Sequence, residues 1–154
     1  MSHDRFVVVP ASYVFLLRPG AGGADEVLLQ LRGDVPYMSG HWAAAAAGHV
    51  EQGETAYAAA EREALEELGI TAPELEFVTT MQRTQGGEAI DERVDFFFTC
   101  RSWSGEPRIM EPDKAADLGW FPLDALPTPL VPHEAAVLRQ VASGIAQGYT
   151  TFGF

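Results

Sequence analysis

Glutamates dominate one short segment of the chain, GHVEQGETAYAAAEREALEELGI, at residues 48–70. Its second half has the composition of a helix, and Glu63, Glu66 and Glu67 stand there at positions i, i+3 and i+4. This spacing places the three side chains within about 100° on one face of a helix. Like charges at such positions repel one another and destabilise an isolated helix. We therefore expect a cation to compensate for them.

The ligand type narrows the choice of cation. Carboxylates are hard oxygen ligands, which suit Mg²⁺ or Mn²⁺ better than zinc or copper. A solvated acidic helix is the alternative interpretation, because charge runs often have that meaning. That alternative explains neither the two glycines, Gly48 and Gly69, nor Arg62, which stands among the acids.

The segment resembles the signature of the Nudix hydrolases, G-x5-E-x7-R-E-U-x-E-E-x-G-U, in which U is an apolar residue; we call residues 48–70 the box. Ala64 and Ile70 occupy the apolar positions. The chain matches all seven fixed positions, which are Gly48, Glu54, Arg62, Glu63, Glu66, Glu67 and Gly69. A motif of this length is far more specific than a short glycine pattern. On these residues the chain is identified as a member of that family.

The resemblance implies an enzyme that splits a phosphoanhydride in a nucleoside diphosphate-linked compound with the help of Mg²⁺, for which Mn²⁺ can substitute. It also implies which residues form the site. Glu63, Glu66 and Glu67 would hold the metal, and the main-chain carbonyl of Gly48 would supply a further ligand.

The same resemblance assigns a supporting role to Arg62 and Glu54. Arg62 would point away from the metal and pair with Glu54, which fixes the loop of the box against its helix and orients the ligands. A plain salt bridge between loop and helix is nearly the same expectation.

The general base is left open by the resemblance, since family members use either a glutamate of the box or an acid from another loop. The alternatives are Glu63 inside the box and four acids outside it, Glu88, Glu92, Glu111 and Asp113. An outer acid is more often a solvated loop carboxylate. Residues 111–114, EPDK, resemble a run found in members that hydrolyse nucleoside triphosphates.

The substrate follows from the resemblance only by elimination. Markers of the members that cleave NADH, ADP-ribose and dinucleoside polyphosphates are absent from this chain. A nucleoside or deoxynucleoside triphosphate pyrophosphohydrolase is left. Five aromatic residues could stack against a base, Trp42, Phe97, Trp103, Trp120 and Phe121, although core packing is the more common role of each.

Two other functions are alternatives. A non-catalytic Nudix-type sensor would bind a nucleotide and regulate a partner, but sensors often lose a glutamate of the box and this chain keeps them all. A Ca²⁺-binding structural module would need an alternating acidic loop, which this chain lacks.

The composition limits the class of protein further. With 154 residues, 47% hydrophobic and 21% charged, the chain fits a single globular domain over residues 1–154. A net charge of −12 argues against nucleic-acid polymers as partners but not against a small phosphorylated substrate that arrives with cations. No apolar run is long enough for a membrane span, and the N-terminus does not resemble a signal peptide. Cys100, the one cysteine, fits a reducing cytoplasm and is expected to be buried and inert.

The order of the predicted elements indicates a small α/β sandwich. One long strand or a strand pair is expected at residues 6–18, and a turn at 19–25 would make a hairpin with a strand at 27–32. Further strands are expected at 75–83, 93–103 and 119–122, with helices at 55–68 and 132–145. Tyr57, Ala64, Leu65 and Leu68 would form the apolar stripe of the first helix, opposite its glutamates. The tail GYTTFGF would cover the sheet or form a homodimer contact. The resemblance implies a Nudix-type α/β/α sandwich, a mixed sheet between helices with the box as loop-helix-loop.

Overall fold

A computed structural model describes residues 5–72 and 74–154 of the protein. Residues 1–4, which carry part of our prediction about a signal peptide, lie outside this description. The strands are β1 (Val9–Pro19), β2 (Asp25–Arg32), β3 (Trp42–Ala44), β4 (Ala46–His49), β5 (Leu75–Arg83), β6 (Arg93–Cys100), β7 (Ala115–Pro122) and β8 (Tyr149–Phe152). The helices are α1 (Ala56–Leu68) and α2 (Pro132–Ser143), with one 3₁₀ turn at Ala89–Asp91.

Strand β1 joins the two parts of the sheet. Its residues 9–16 pair with β6 in parallel, and residues 11–14 pair with β4 on the other side in antiparallel fashion. Residues 17–19 pair with β2, which confirms the hairpin predicted around residues 19–25. Strands β5 and β8 continue the sheet beyond β6, while β3 and β7 flank β2. Because β1 is central, its apolar run is buried on both faces, as is typical of inner strands.

The sheet lies between the two helices, and each face has its own core. Val137 and Leu138 of α2 pack in one apolar cluster, which also contains Phe97. Phe98, the next residue of β6, belongs to the other cluster together with Leu68 of α1. Successive side chains of a strand point to opposite faces, so β6 supplies both cores. The predicted α/β/α arrangement with a mixed sheet is thereby confirmed.

Helix α1 begins and ends where its sequence predicts. The Thr55 hydroxyl oxygen accepts a hydrogen bond from the Ala58 amide at 3.0 Å, which satisfies one of the free amides of the first turn. Gly69 ends the helix with φ = 69°, a left-handed conformation that favours glycine. The box therefore forms the predicted loop-helix-loop.

The predicted apolar stripe of α1 is wrong in part. Tyr57 and Leu65 are 47% and 57% exposed. The buried residues of the helix are Ala59, Ala60, Glu63, Ala64 and Leu68. Alanines allow the helix to lie close to the sheet, so the larger side chains of Tyr57 and Leu65 are left outside. Glu63 shares the buried face instead of lying opposite it.

The remaining elements differ from their predictions mainly in length. Residues 6–8 precede β1 without strand structure, and β7 begins four residues earlier than expected. The tail extends the sheet as a strand, because β8 pairs in parallel with β5 from Thr80↔Tyr149 to Arg83↔Phe152. Cys100 is buried, as predicted. In the described ranges, neither helix is long and apolar enough to cross a membrane.

Candidate active site

Arg62 connects the helix of the box to its loop. Its Nε donates to Glu54 Oε2 at 2.7 Å and its Nη2 donates to Glu54 Oε1 at 3.0 Å. Nη2 also donates to the main-chain carbonyl of His49 at 3.0 Å. Such a two-point contact is a strong form of ion pair. Hydrogen bonding to Arg62 lowers the pKa of Glu54 to about 2. The predicted Arg62–Glu54 pair is therefore present.

Arg62 also contacts two predicted metal ligands, which differs from the expectation that it points away from them. Its Nη1 lies 2.6 Å from Glu63 Oε1 and 3.3 Å from Glu66 Oε2. The guanidinium thus neutralises part of the charge of the glutamate face. Glu66 remains largely exposed, whereas Glu63 is buried.

Gly48 lies directly against Glu63. A Cβ atom at position 48 would overlap the Glu63 carboxylate, so no larger residue fits there without moving that side chain. The pKa of Glu63 is raised, chiefly by burial. The glycine of the motif therefore leaves room for the Glu63 carboxylate to lie against the end of β4.

Glu67 is held by the backbone of β4 instead of by Arg62. Its Oε2 accepts a hydrogen bond from the Ala47 amide at 2.9 Å. Burial raises its pKa to about 8, and the charges of Glu63 and Glu111 act in the same direction. A carboxylate in this condition lacks a compensating positive charge.

The carboxylate oxygens of the box are suitable ligands for a divalent cation. A bound cation would lower the pKa values of Glu63 and Glu67, which burial raises in its absence. In residues 5–72 and 74–154, no three acidic, histidine or cysteine side chains are arranged to hold an ion. Two of the three glutamates turn toward Arg62 and the third toward the Ala47 amide. The chain thus brings the predicted ligands to one end of α1 without forming a finished metal centre.

Four outer acids were proposed as bases. Among them, Glu111 influences the box electrostatically, since its charge raises the pKa values of Glu63 and Glu67. The segment that precedes it is fastened to the end of α1. The Arg108 amide donates to the Leu68 carbonyl at 3.1 Å, and the Met110 amide donates to the Glu67 carbonyl at 3.2 Å.

The other three outer acids have different surroundings. Glu92 accepts a hydrogen bond from the Thr84 hydroxyl at 2.7 Å, and the Glu88 amide donates to the Asp91 carboxylate. Glu88 and Asp113 are exposed.

A cleft of about 500 Å³ adjoins the box. This volume falls in the range of small-molecule sites. Its lining comes from β1 to β4, α1, the end of β5, the turn before β6, and the start of α2. Among the lining residues are Ala11, Tyr13, Gln30, Arg32, Tyr37, Ala44, Ala47, Gly48, His49, Glu67, Arg83, Asp91, Arg93, His133 and Glu134. Two predicted site residues, Gly48 and Glu67, thus face this space.

A group of buried charges, which was not predicted from the sequence, lies beside the cleft. We call Asp95, Arg83, Arg93 and His133 the Asp95 cluster. Arg83 Nε donates to Asp95 Oδ2 at 2.8 Å, and Arg93 Nε lies 3.9 Å from Asp95 Oδ1. Arg83 also reaches the Tyr13 hydroxyl at 3.4 Å. The only signal in the sequence is a polar residue, Asp95, inside the apolar run VDFFFTC.

His133 contributes to this cluster as a neutral group. Its Nε2 lies 3.9 Å from Asp95 Oδ2, the distance of a weak ion pair. Burial and the charges of Arg83 and Arg93 lower its pKa to about 2, so the imidazole is uncharged at neutral pH. We therefore regard the contact with Asp95 as polar and not ionic.

The five aromatic residues proposed for base stacking pack elsewhere. Phe97 stacks on Tyr13 with ring centres 4.4 Å apart, and Trp42 meets Phe121 edge to face at 4.7 Å. Trp103 and Trp120 stack on each other at 6.0 Å. Within the described ranges, the aromatic residues that line the cleft are Tyr13 and Tyr37 instead.

Comparison with known proteins agrees with this geometry. Residues 9–141 match the family model of the NUDIX domain. A curated relative named isopentenyl-diphosphate delta-isomerase, from Jannaschia sp. (strain CCS1), is 30% identical and is matched over 97% of this chain and 88% of its own length.

Solved structures show the same fold. A MutT NUDIX hydrolase from Burkholderia pseudomallei superposes with a TM-score of 0.78 at 30% identity, over 88% of this chain and 98% of its own. The NUDIX domain of Shewanella oneidensis NrtR, solved with ADP ribose, superposes with a TM-score of 0.72 at 20% identity, over 90% and 88%. With the box intact and the fold in place, this chain belongs to the NUDIX domain family and is a Nudix hydrolase.

Proposed function

We propose that this protein is a pyrophosphohydrolase of nucleoside or deoxynucleoside triphosphates that depends on Mg²⁺. The observation that carries the proposal is the cleft of about 500 Å³, which includes both Gly48 and Glu67 in its lining. A nucleotide in this cleft would have its phosphates beside the acidic end of α1 and its remaining part beside α2. The similarity to a MutT hydrolase supports the same substrate class.

In this proposal Glu63, Glu66, Glu67 and the Gly48 carbonyl hold Mg²⁺, for which Mn²⁺ can substitute. When bound, the ion neutralises phosphate oxygens and favours deprotonation of an attacking water. To hold the ion, the glutamates would have to turn from Arg62 and the Ala47 amide. The two hydrogen bonds to Glu54 would still hold Arg62 and the loop of the box.

The residues of the chain would otherwise act by positioning. Hydrolysis of a phosphoanhydride needs an aligned water and a group that accepts its proton. Our candidates for this role are Glu63 and Glu111, because the charges of both raise the pKa of Glu67. The backbone contacts of Arg108 and Met110 with α1 would hold Glu111 in a constant position.

A substrate panel tests the proposal. Purified protein with Mg²⁺ is offered nucleoside and deoxynucleoside triphosphates, ADP-ribose and isopentenyl diphosphate, the last because of the name of the curated relative. Released pyrophosphate and phosphate are measured, and isomerisation is followed for isopentenyl diphosphate. We expect pyrophosphate from triphosphates and no turnover with a chelator. Turnover of isopentenyl diphosphate alone would contradict the proposal, and nucleotide binding without turnover would indicate a sensor.

Matched variants identify the residues involved. Glu67→Gln should lower kcat about 100-fold or more, because it removes a charged ligand beside the reacting phosphate. Glu76→Gln is the control, since Glu76 is an exposed residue of β5 outside the cleft. If Glu63→Gln and Glu67→Gln both hydrolyse triphosphates as fast as the wild type, the assignment of the box glutamates is wrong. A cytoplasmic location and a homodimer are further proposals.

A further inference from the structure

Two arginines lie directly opposite each other where β5 ends and β6 begins. The register of this antiparallel pair sets Arg83 against Arg93, so both side chains project from the same face of the sheet. Both residues line the cleft. Like charges in such a position repel each other and destabilise the pairing of the strands. The two arginines therefore need negative charge nearby, just as the glutamates of α1 need positive charge.

The protein supplies only part of that negative charge, through Asp95. Arg83 Nε donates to Asp95 Oδ2 at 2.8 Å, whereas Arg93 Nε lies 3.9 Å from Asp95 Oδ1, beyond hydrogen-bond distance. Within residues 5–72 and 74–154, Arg93 Nε and Asp95 Oδ1 are buried without a hydrogen-bond partner. The Asp95 side chain is fully buried. Because buried polar atoms are usually hydrogen-bonded, these atoms indicate that a group from outside the chain completes the site.

Two further side chains at this end of the cleft can donate a hydrogen bond. The Tyr13 hydroxyl oxygen accepts from Arg83 Nη2 at 3.4 Å, which leaves its own proton free. Burial raises the pKa of Tyr13 above its ordinary value, so the hydroxyl keeps that proton. His133 is uncharged at neutral pH, and its buried Nε2, which has no hydrogen-bond partner in the described ranges, is a donor in one tautomer. This end of the cleft is thus rich in donors.

The other acids of the cleft lining leave the two arginines with surplus positive charge. Asp91 Oδ2 accepts a hydrogen bond from the Glu88 amide at 3.0 Å. Burial raises the pKa of Glu134 to about 7, so only part of it is ionised at neutral pH. In the part of the chain that the structure describes, Asp95 is the one acid that forms an ion pair with either arginine. Two positive charges thus share a single carboxylate partner.

We propose that Arg83 and Arg93 bind a second phosphate group of the substrate, which the sugar of the nucleotide carries in addition to its anhydride chain. This inference rests on the proposed function, which places the anhydride beside the box and the remaining part of the nucleotide beside α2. Guanidinium groups match the oxygens of a phosphate in geometry and keep their charge at neutral pH. A phosphate monoester carries a charge of about −1.5 to −2 at pH 7 and has three acceptor oxygens, which suit the arginines and the Tyr13 hydroxyl. The preferred substrates are then nucleoside 5′-triphosphates with a phosphate on the 2′ or 3′ oxygen.

The first test changes only the ligand. Titration calorimetry at constant ionic strength measures the Kd of the wild-type protein for AMP, adenosine 2′,5′-bisphosphate and adenosine 3′,5′-bisphosphate. The base is the same in all three, so its recognition cancels from the comparison. We expect one of the bisphosphates to bind about 10-fold to 100-fold more tightly than AMP, because it adds charge-assisted hydrogen bonds to the arginines. The tighter of the two identifies the position of the phosphate, and equal binding of all three ligands would overturn the inference.

The second test changes the protein at Arg93, since Arg83 is the arginine that holds Asp95. In Arg93→Gln the ratio of the Kd for AMP to that for the preferred bisphosphate should fall to within about threefold of one. Arg93→Lys keeps the charge but loses the planar fork, so its ratio should lie between those of Arg93→Gln and the wild type. A full ratio in a folded Arg93→Gln protein would place the phosphate elsewhere.

A matched control removes the same charge from another surface. Arg101 pairs with Asp25 at 2.8 Å, is 51% exposed and does not line the cleft. Arg101→Gln should therefore keep the ratio of the wild type. If it lowers the ratio as much as Arg93→Gln does, the effect comes from net charge and the inference is wrong.

The binding measurements separate this inference from the proposed reaction, because they require no turnover. Tighter binding of a bisphosphate without hydrolysis of any triphosphate would support the arginine site and reject the reaction. Hydrolysis of triphosphates with equal binding of AMP and both bisphosphates would reject the arginine site and leave the reaction intact.

Discussion

Two groups of buried or half-buried charges lie on either side of the cleft, and their balance differs. At the box, Arg62 is the cation in contact with Glu54, Glu63 and Glu66, while Glu67 lies nearby with a raised pKa. In the Asp95 cluster a single carboxylate has two arginines around it and a neutral histidine. The first group has an excess of negative charge, whereas the second has two positive charges and one negative charge.

The difference indicates what each group does. Charges that serve the fold are usually matched within the protein, because an unmatched buried charge is costly. The carboxylate of the Asp95 cluster has its positive partners within the protein, Arg83 at 2.8 Å and Arg93 at 3.9 Å, and the cluster ties β5, β6 and α2 together. The carboxylates of the box are not all matched in this way, so their excess charge points to something outside the chain. Four predictions test this contrast, from the largest expected effect to the smallest.

Asp95→Asn should cause the largest loss of stability. It leaves Arg83 buried without its carboxylate, and breaking one side of a buried ion pair typically costs about 3–5 kcal/mol of the free energy of unfolding. Urea denaturation measures this quantity. Glu63→Gln, the comparable change at the box, should cost far less because Arg62 retains Glu54. Equal losses in the two variants would remove the contrast.

Glu134→Gln should stabilise the protein in a manner that depends on pH. The pKa of Glu134 is raised from 4.5 to about 7, so the wild type loses stability as the pH rises through that window. The variant lacks this ionisation. Its free energy of unfolding should match the wild type near pH 4 and exceed it by up to about 3 kcal/mol at pH 8. A constant difference at every pH would contradict the role of burial.

Mg²⁺ should raise the stability of the wild type through the box. An ion that binds only the folded state adds about 2–3 kcal/mol when its concentration approaches 100 times the Kd. The shift in Tm on adding Mg²⁺ is the measurement. It should be reduced in Glu67→Gln and unchanged in Glu76→Gln. A full shift in Glu67→Gln would place the ion elsewhere in the molecule.

Thr55→Ala should have the smallest effect on stability, and that effect should be confined to the helix of the box. It removes the acceptor for the Ala58 amide, a change that typically costs about 1 kcal/mol. Hydrogen exchange can localise the loss, with faster exchange expected in the first turn of α1 and no change in α2. Uniformly faster exchange would mean that the helix is not an independent unit.

Features that depend on neighbours in sequence were predictable. The bounds of α1 and the hairpin between β1 and β2 follow from local sequence, whereas the Arg62–Glu54 pair follows from the family resemblance. The apolar stripe of α1 was predicted wrongly because alanine, which is only mildly apolar, forms most of the buried face. A prediction that assigns the largest apolar side chains to the core places Tyr57 and Leu65 there, although both are exposed.

The Asp95 cluster could not be predicted, because it depends on pairing between distant strands. The register of β5 and β6 sets Met81 opposite Asp95 and thereby brings Arg83 within reach of that carboxylate. The start of α2 then adds His133 and Glu134, about 40 residues further along the chain. Apart from Asp95 in its apolar run, these residues have an ordinary local sequence, so only the tertiary structure reveals that Arg83, His133 and Glu134 line one cleft.

The contacts of Arg62 have a consequence for how the enzyme is assembled. One guanidinium is already in place to moderate the repulsion among the acids of α1, so the chain can complete its fold before any ion arrives. Under the proposed function, uptake of Mg²⁺ would then be a separate, reversible step on an already folded chain, and the fraction of active enzyme would follow the concentration of the free ion.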